Sequence, residues 1–269
     1  MKLKRYNYNE ETTVKLYSVQ DIVKEKLSDL EMFLKHIRSD IPNSIDDVID
    51  SILSQYGETK DYEFLLETEY ELLKEYPELL DKSKNTILSL LNYSKYQNNP
   101  VDEKIEVNVS DVIRSDRVFG YYQINSLLAI MPRERAIKFY KDFIDHSIQQ
   151  RRDPRNYMEN VDGVLRSYKI FFRKWKIYDA IVGKLDENSV IGKITRCSLA
   201  EILKDFDSEL NYTLVCYGEF ETTKNRNPNF ILTRTQTLMQ GAEYCDYCVS
   251  DTRFKKEIKH PSIEFWDKI

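Results

Sequence analysis

A chain of 269 residues with 41% apolar side chains can bury a substantial core, which excludes disorder as the default state. Charged residues make up 32% but nearly cancel to a net charge of −5, which excludes a general attraction to nucleic-acid phosphates or acidic membranes. Only 7 Gly and 7 Pro stand beside 19 Tyr and 12 Phe, so long regular elements packed through aromatic rings are expected rather than a loop-rich scaffold.

The N-terminal MKLKRYNYNEETT lacks the apolar core of a secretion signal, and no later run reaches the ~20 apolar residues that span a bilayer. A soluble cytoplasmic protein is expected, with its 4 cysteines as reduced thiols. The first hundred residues carry apolar side chains at helical spacing: Ile22, Val23, Leu27, Leu30, Phe33, Leu34 and Ile37 form one stripe. That stripe offers a face for a homodimer. Ser44, with Asp46 and Asp47 in the first turn, opens a second helix that runs to Tyr56 before Gly57. A third is expected over Asp61 to Tyr76, and Pro77 starts a fourth.

The polar stretch YQNNPVDEK around Pro100 reads as a linker. It divides a helical region, 1–100, from an α+β domain, 101–269. Helices follow from about Ser110 to Ile130 and from Pro132, the second burying Ala136, Phe139, Tyr140, Phe143 and Ile144. The basic runs RRDPR (151–155) and FRKWK (172–176) read as solvated surface. Beyond Trp175 the period becomes strand-like: Ile177 to Leu185 and Ser189 to Ser198 predict a hairpin, and Ser198 caps a short helix to Phe206. Tyr212 to Phe220, Phe230 to Leu238 and Tyr244 to Arg253 complete the expected strands. The fold class is therefore α+β, a helical N-terminal half followed by a mostly antiparallel sheet of about five strands packed with helices.

Cys197 falls at a strand-to-helix junction, Cys216 in a predicted strand, and Cys245 and Cys248 on the last one. Residues three apart on a strand point to opposite faces, so Cys245 and Cys248 do not make a zinc clasp, and no metal or cofactor is expected. Cys248 reads as packing. A nucleophilic role for a thiol needs a cation to lower its pKa, and Arg234 on the neighbouring strand is the candidate. Among the three histidines, His260 lies in the charged tail KKEIKHPS and gives no case for imidazole-assisted activation.

Arg196-Cys197, then Cys216, then Arg234-Thr235-x-Thr237-Leu238-x-x-Gly241-x-x-x-Cys245-Asp246-Tyr247 resembles the pattern of the L-2-amino-thiazoline-4-carboxylic acid hydrolase family. The likeness covers about Asp111 to Arg253. Tyr247 stands where Phe is usual, and Glu219 where an Asp near the second cysteine is commoner. The resemblance implies a small-molecule substrate and a hydrolase that opens a cyclic isothiourea: water adds to the carbon between sulfur and nitrogen, and the ring sulfur departs. It implies Cys216 or Cys245 as nucleophile or proton carrier and Glu219 or Asp246 as general acid/base. Arg234 would clamp the substrate carboxylate, with Thr235, Thr237 and Cys197 on the substrate-binding side. Hairpins of this form also occur in ligand-binding domains related to vinyl-reductase sensors, so a non-catalytic small-molecule-binding protein is the alternative. Phosphate-loop, dinucleotide, zinc-protease and serine-hydrolase motifs are missing from the chain.

Overall fold

The computed structural model describes residues 2–9, 14–64, 70–99, 102–255 and 257–269. In chain order the elements are β1 (Leu3–Tyr6), β2 (Val14–Ser18), α1 (Val19–Asp40), α2 (Ile45–Gln55), α3 (Pro77–Leu90), β3 (Lys104–Asn108), α4 (Val109–Ser126) and α5 (Arg133–Gln150). There follow α6 (Val161–Trp175), β4 (Tyr178–Asp186), β5 (Ser189–Cys197), α7 (Ser198–Ile202), α8 (Ser208–Asn211), a π-helical turn (Tyr212–Tyr217), α9 (Gly218–Arg226), β6 (Phe230–Thr233), β7 (Cys245–Asp251) and α10 (Ile263–Asp267). The protein is α+β.

By its contacts the chain divides into two compact units. Val14–Phe143 forms one; the chain before β2 and Ile144–Ile269 form the other. This division falls inside α5, and within the first unit β3 pairs with β2 and α4 packs on α1, α2 and α3. Pro100 lies outside the described residues.

In the helical unit, the Ser18 hydroxyl accepts the Asp21 amide and starts α1. The predicted stripe is core: Val23, Leu27, Leu30, Phe33, Leu34 and Ile37 are fully buried. The helix expected over Asp61 to Tyr76 does not form in its described parts, Asp61–Phe64 and Tyr70–Tyr76, apart from a 3₁₀ turn at Leu73–Glu75; residues 65–69 lie outside the described set. The Glu31 carboxylate on α1 accepts the amides of Glu71, Leu72 and Leu73 at 3.0 to 3.3 Å, anchoring this stretch without a helical ladder.

The other unit is built on an antiparallel sheet of order β1-β4-β5-β7-β6. Its fifth strand is β1, not the expected Tyr212 to Phe220. That apolar run instead buries Thr213 and Cys216, three residues apart, at helical spacing, with Asp207 capping the amides of Glu209 and Leu210 just upstream. Cys197 rather than Ser198 holds the N-cap of α7; the Ser198 hydroxyl donates to the Ile177 carbonyl. Strand β6 stops at Thr233, short of the predicted Leu238.

One face of the sheet packs on α6 through Val161, Val164, Leu165 and Phe172 against Val182, Val190, Leu232 and Val249. The other carries a smaller cluster of Ile191, Tyr244, Cys248 and Trp266. At Gly183 strand β1 comes so close that an added Cβ would lie 2.8 Å from the Lys2 carbonyl oxygen and from the Leu3 side chain. Gly183→Ala is expected to lower unfolding free energy by about 1–3 kcal/mol through overpacking, read by urea denaturation.

Candidate functional site

The loop from Arg234 to Tyr244 connects two paired strands, β6 and β7, and its conformation follows from a few side chains. Asp246, at the start of β7, accepts the amides of Thr235 at 2.8 Å and Gln236 at 3.0 Å, and the Thr235 hydroxyl as well. Thr237 caps a 3₁₀ turn, Leu238–Gln240, by accepting the Gln240 amide at 3.2 Å. Gly241, at φ +86°, closes that turn in a conformation that disfavours a side chain. The Leu238 amide then donates to the Cys245 sulfur at 3.2 Å. Every fixed position of the motif from Thr235 to Asp246 therefore shapes the loop that begins at Arg234.

The Arg234 side chain is 1% exposed. It pairs with Glu219 and donates to the Tyr212 hydroxyl at 3.3 Å and to the Cys216 carbonyl at 3.0 Å. Three rings surround it, Phe220 at 5.0 Å and Tyr212 and Tyr247 at 5.3 Å. Tyr212 and Cys216 lie on the π-helical turn and Glu219 on the first turn of α9, so the local change of helix pitch brings them together on Arg234. Burial works against the guanidinium charge, but Glu219 outweighs it and Arg234 is held firmly protonated.

Burial raises Glu219 above the ordinary carboxylate range, against the pull of Arg234. Its side chain as a whole keeps 45% of its exposure, while the carboxyl group itself is desolvated against Arg234.

Cys197, Cys216 and Cys245 gather around this pair. The titration of Cys216 is coupled to Glu219, Arg234, Cys245 and Cys197, and that of Cys245 to Glu219 and Arg234. Burial pushes the Cys197 thiol up to about 12 and the Cys245 thiol up to about 11, and raises Cys216 further. Arg234 lowers Cys216 and Cys245 only in part, since its charge is already matched by Glu219. At neutral pH these are thiols, not thiolates.

Asp246 is not among them. Strand alternation sends Cys245, Tyr247 and Val249 toward α6 and Asp246 and Cys248 to the other face. There the 1% exposed Asp246 carboxylate meets His260 Nε2 at 2.9 Å, and His260 Nδ1 lies 2.9 Å from the Thr233 hydroxyl. The His260 ring stacks on Trp266, whose indole N–H reaches the Pro261 carbonyl at 3.2 Å. Lys193, directly opposite Asp246 on β5, donates to the Trp266 carbonyl at 2.6 Å. His260 is thus a second anchor for the hairpin, missed because histidine in a charged tail carries no local signal of what it will touch. Thr235 and Thr237 likewise serve the loop. Among the described residues, no group of three or more His, Cys, Asp or Glu is placed to hold a metal ion, and no helix is long and apolar enough to cross a membrane.

An α+β unit in which a loop, a helical turn and two strands bring together a buried arginine, its carboxylate partner and three thiols defines a protein with a polar cluster in an apolar setting. The chain belongs to the L-2-amino-thiazoline-4-carboxylic acid hydrolase family, which it matches over residues 114–249. That span takes in Cys197, Cys216, Glu219, Arg234 and Cys245, and the membership supports a hydrolase-type function in general. No curated protein and no solved structure matches the chain.

Two outcomes follow from these contacts. Burial raises the Asp246 pKa, but His260, Thr235 and the amides of Gln236 and Thr235 together hold it below the ordinary carboxylate value. Its stabilisation is therefore full above the unfolded value of about 3.9 and fades as pH falls through the lower folded value. Asp246→Asn is expected to cost about 1–3 kcal/mol near neutral pH, and the gap in Tm between variant and wild type should shrink in acid. The second concerns the thiols: native protein at pH 7.5 should react with a disulfide reagent far more slowly than urea-unfolded protein, in which all 4 cysteines become available.

Proposed function

We propose that the chain is a hydrolase acting on a carbon–nitrogen or carbon–sulfur bond of a small cyclic isothiourea, thioamide or amide, with the Arg234 cluster as its site. The observation that carries this reading is the convergence of a buried guanidinium, its paired carboxylate and neutral thiols inside the span the family matches. Arg234 offers a planar fork for a carboxylate. A substrate carboxylate exchanges with Glu219 on that fork, since Glu219 is the carboxylate that Arg234 already holds.

Released from Arg234, Glu219 becomes the general base, its proton affinity already raised by burial. It takes a proton from water as the water oxygen bonds to the carbon between sulfur and nitrogen. The carbon–sulfur bond then breaks with its electron pair on sulfur. The departing sulfur takes a proton from Cys245 or Cys216, and Glu219 returns its proton to that thiol, so the net change is addition of one water. The raised thiol pKa values suit proton carriage better than attack. Asp246, Thr235, Thr237 and His260 act in this scheme by holding the loop.

One observation favours binding without turnover: Arg234 already has its counter-ion, and none of the surrounding thiols is ionised at neutral pH. The two readings separate on thiol release from 2-aminothiazoline-4-carboxylate, a thioamide and a small amide. Turnover is expected with at least one of them. Glu219→Gln should lower kcat by roughly 10²–10⁴-fold, whereas Arg234→Gln should act mainly on KM. Full activity in both Cys216→Ala and Cys245→Ala would remove the thiols from the mechanism. Binding of these compounds with no turnover of any would establish the sensor reading.

A further inference from the structure

Tyr247 adds a hydroxyl to the Arg234 cluster. It lies on β7 two residues beyond Cys245, about 7 Å along the strand, and both side chains join the core on the α6 side. The residue is 9% exposed, and its ring centre stands 5.3 Å from the Arg234 guanidinium carbon. Arg234 in turn holds Glu219. The phenol hydrogen-bonds two groups from different elements, the Glu219 carboxyl from α9 and the Cys245 thiol from its own strand.

A phenol gives one proton and accepts another, whereas a carboxylate paired with a guanidinium only accepts. Burial keeps both Cys245 and Tyr247 above their ordinary titration ranges, so each still carries its proton at neutral pH. One order of donors then satisfies all three groups. The Cys245 S–H donates to the Tyr247 oxygen, and the Tyr247 O–H donates to the Glu219 carboxylate. The Cys245 sulfur keeps a lone pair for the Leu238 amide, which reaches it at 3.2 Å. A phenylalanine would fill the same space without a hydroxyl to satisfy, so packing alone gives no reason for this chain of bonds.

We propose that Tyr247 relays the proton that Glu219 takes from water to the Cys245 thiolate left when that thiol protonates the departing sulfur. The relay rests on the hydrolase reading, and it selects Cys245 over Cys216 as the proton donor because Cys245 is the thiol that the hydroxyl bonds. The Cys245 S–H bond breaks as the departing sulfur gains its proton. The Tyr247 proton then passes to the Cys245 sulfur, and the Glu219 proton passes to the Tyr247 oxygen. Thiol and phenol are both restored, Glu219 returns to carboxylate, and the phenol accumulates no charge. Once a substrate carboxylate occupies the Arg234 fork, the same bond keeps Glu219 in place beside Cys245.

Tyr247→Phe in the full chain keeps the ring beside Arg234 and removes the relay. One measurement needs no turnover. In infrared spectra the Cys245 S–H stretching band, identified by its loss in Cys245→Ala, should move to higher wavenumber in Tyr247→Phe as its acceptor disappears; an unmoved band overturns the relay. The other reads thiol release from 2-aminothiazoline-4-carboxylate, a thioamide and a small amide. Tyr247→Phe should lower kcat about tenfold or more at unchanged KM. Rates in mixtures of light and heavy water should curve with deuterium content in the wild type, where several protons move together, and become closer to linear in the variant. Wild-type kcat and curvature in Tyr247→Phe, or a rise in KM alone, overturns the relay and leaves the hydrolase reading standing. No turnover of any compound by the wild type overturns the hydrolase reading and the relay with it, whatever the band does.

Discussion

A guanidinium buried to 1% exposure is tolerated only if its charge is met, and around Arg234 stand one carboxylate, one hydroxyl, one carbonyl and three rings. Much of the surrounding architecture follows from that requirement. The π-helical turn supplies Tyr212 and the Cys216 carbonyl; the first turn of α9 adds Glu219 and Phe220; β7 presents Tyr247. The loop that delivers Arg234 leaves β6 after Thr233 and is held at its base by Asp246. Removing any one partner would leave a charged or polar group stranded in a low-dielectric setting, which is why the arrangement resists piecemeal change.

Strand β7 separates this site from its support. Because side chains alternate, Cys245 and Tyr247 face the Arg234 cluster while Asp246 and Cys248 face the opposite side, where His260, Lys193 and the C-terminal segment gather. Adjacent residues in one motif, Cys245 and Asp246, thus do different work: one lines the cluster and the other holds the loop in place. The same burial that concentrates electrostatic effects around Arg234 keeps its thiols protonated at neutral pH.

Long periodic segments were legible from the residues. The stripe from Ile22 to Ile37 is α1, Pro77 opens α3, and the runs on either side of Asp186 form the β4–β5 hairpin. Short apolar runs were not: Tyr212 to Phe220 has strand-like composition, but its burial has helical spacing, and so short a run does not separate the two periods. The described residues just before Pro77 gave a helical pattern without an α-helix, and Glu31, some forty residues upstream, takes the amides of Glu71, Leu72 and Leu73.

The amino-acid order by itself determined the family, the helical period of the first half and the set of residues from Arg234 to Cys245 that shape one loop, since these depend on local spacing and turn chemistry. Only the tertiary structure decided which of those residues share a site. It carried β1 from the N-terminus to the sheet edge, brought Glu219 and Cys216 to Arg234 from a helix expected to be a strand, and drew His260 from the tail onto Asp246. Those placements arise from burial and from the pairing of charges distant in sequence, and neither leaves a periodic trace in the chain.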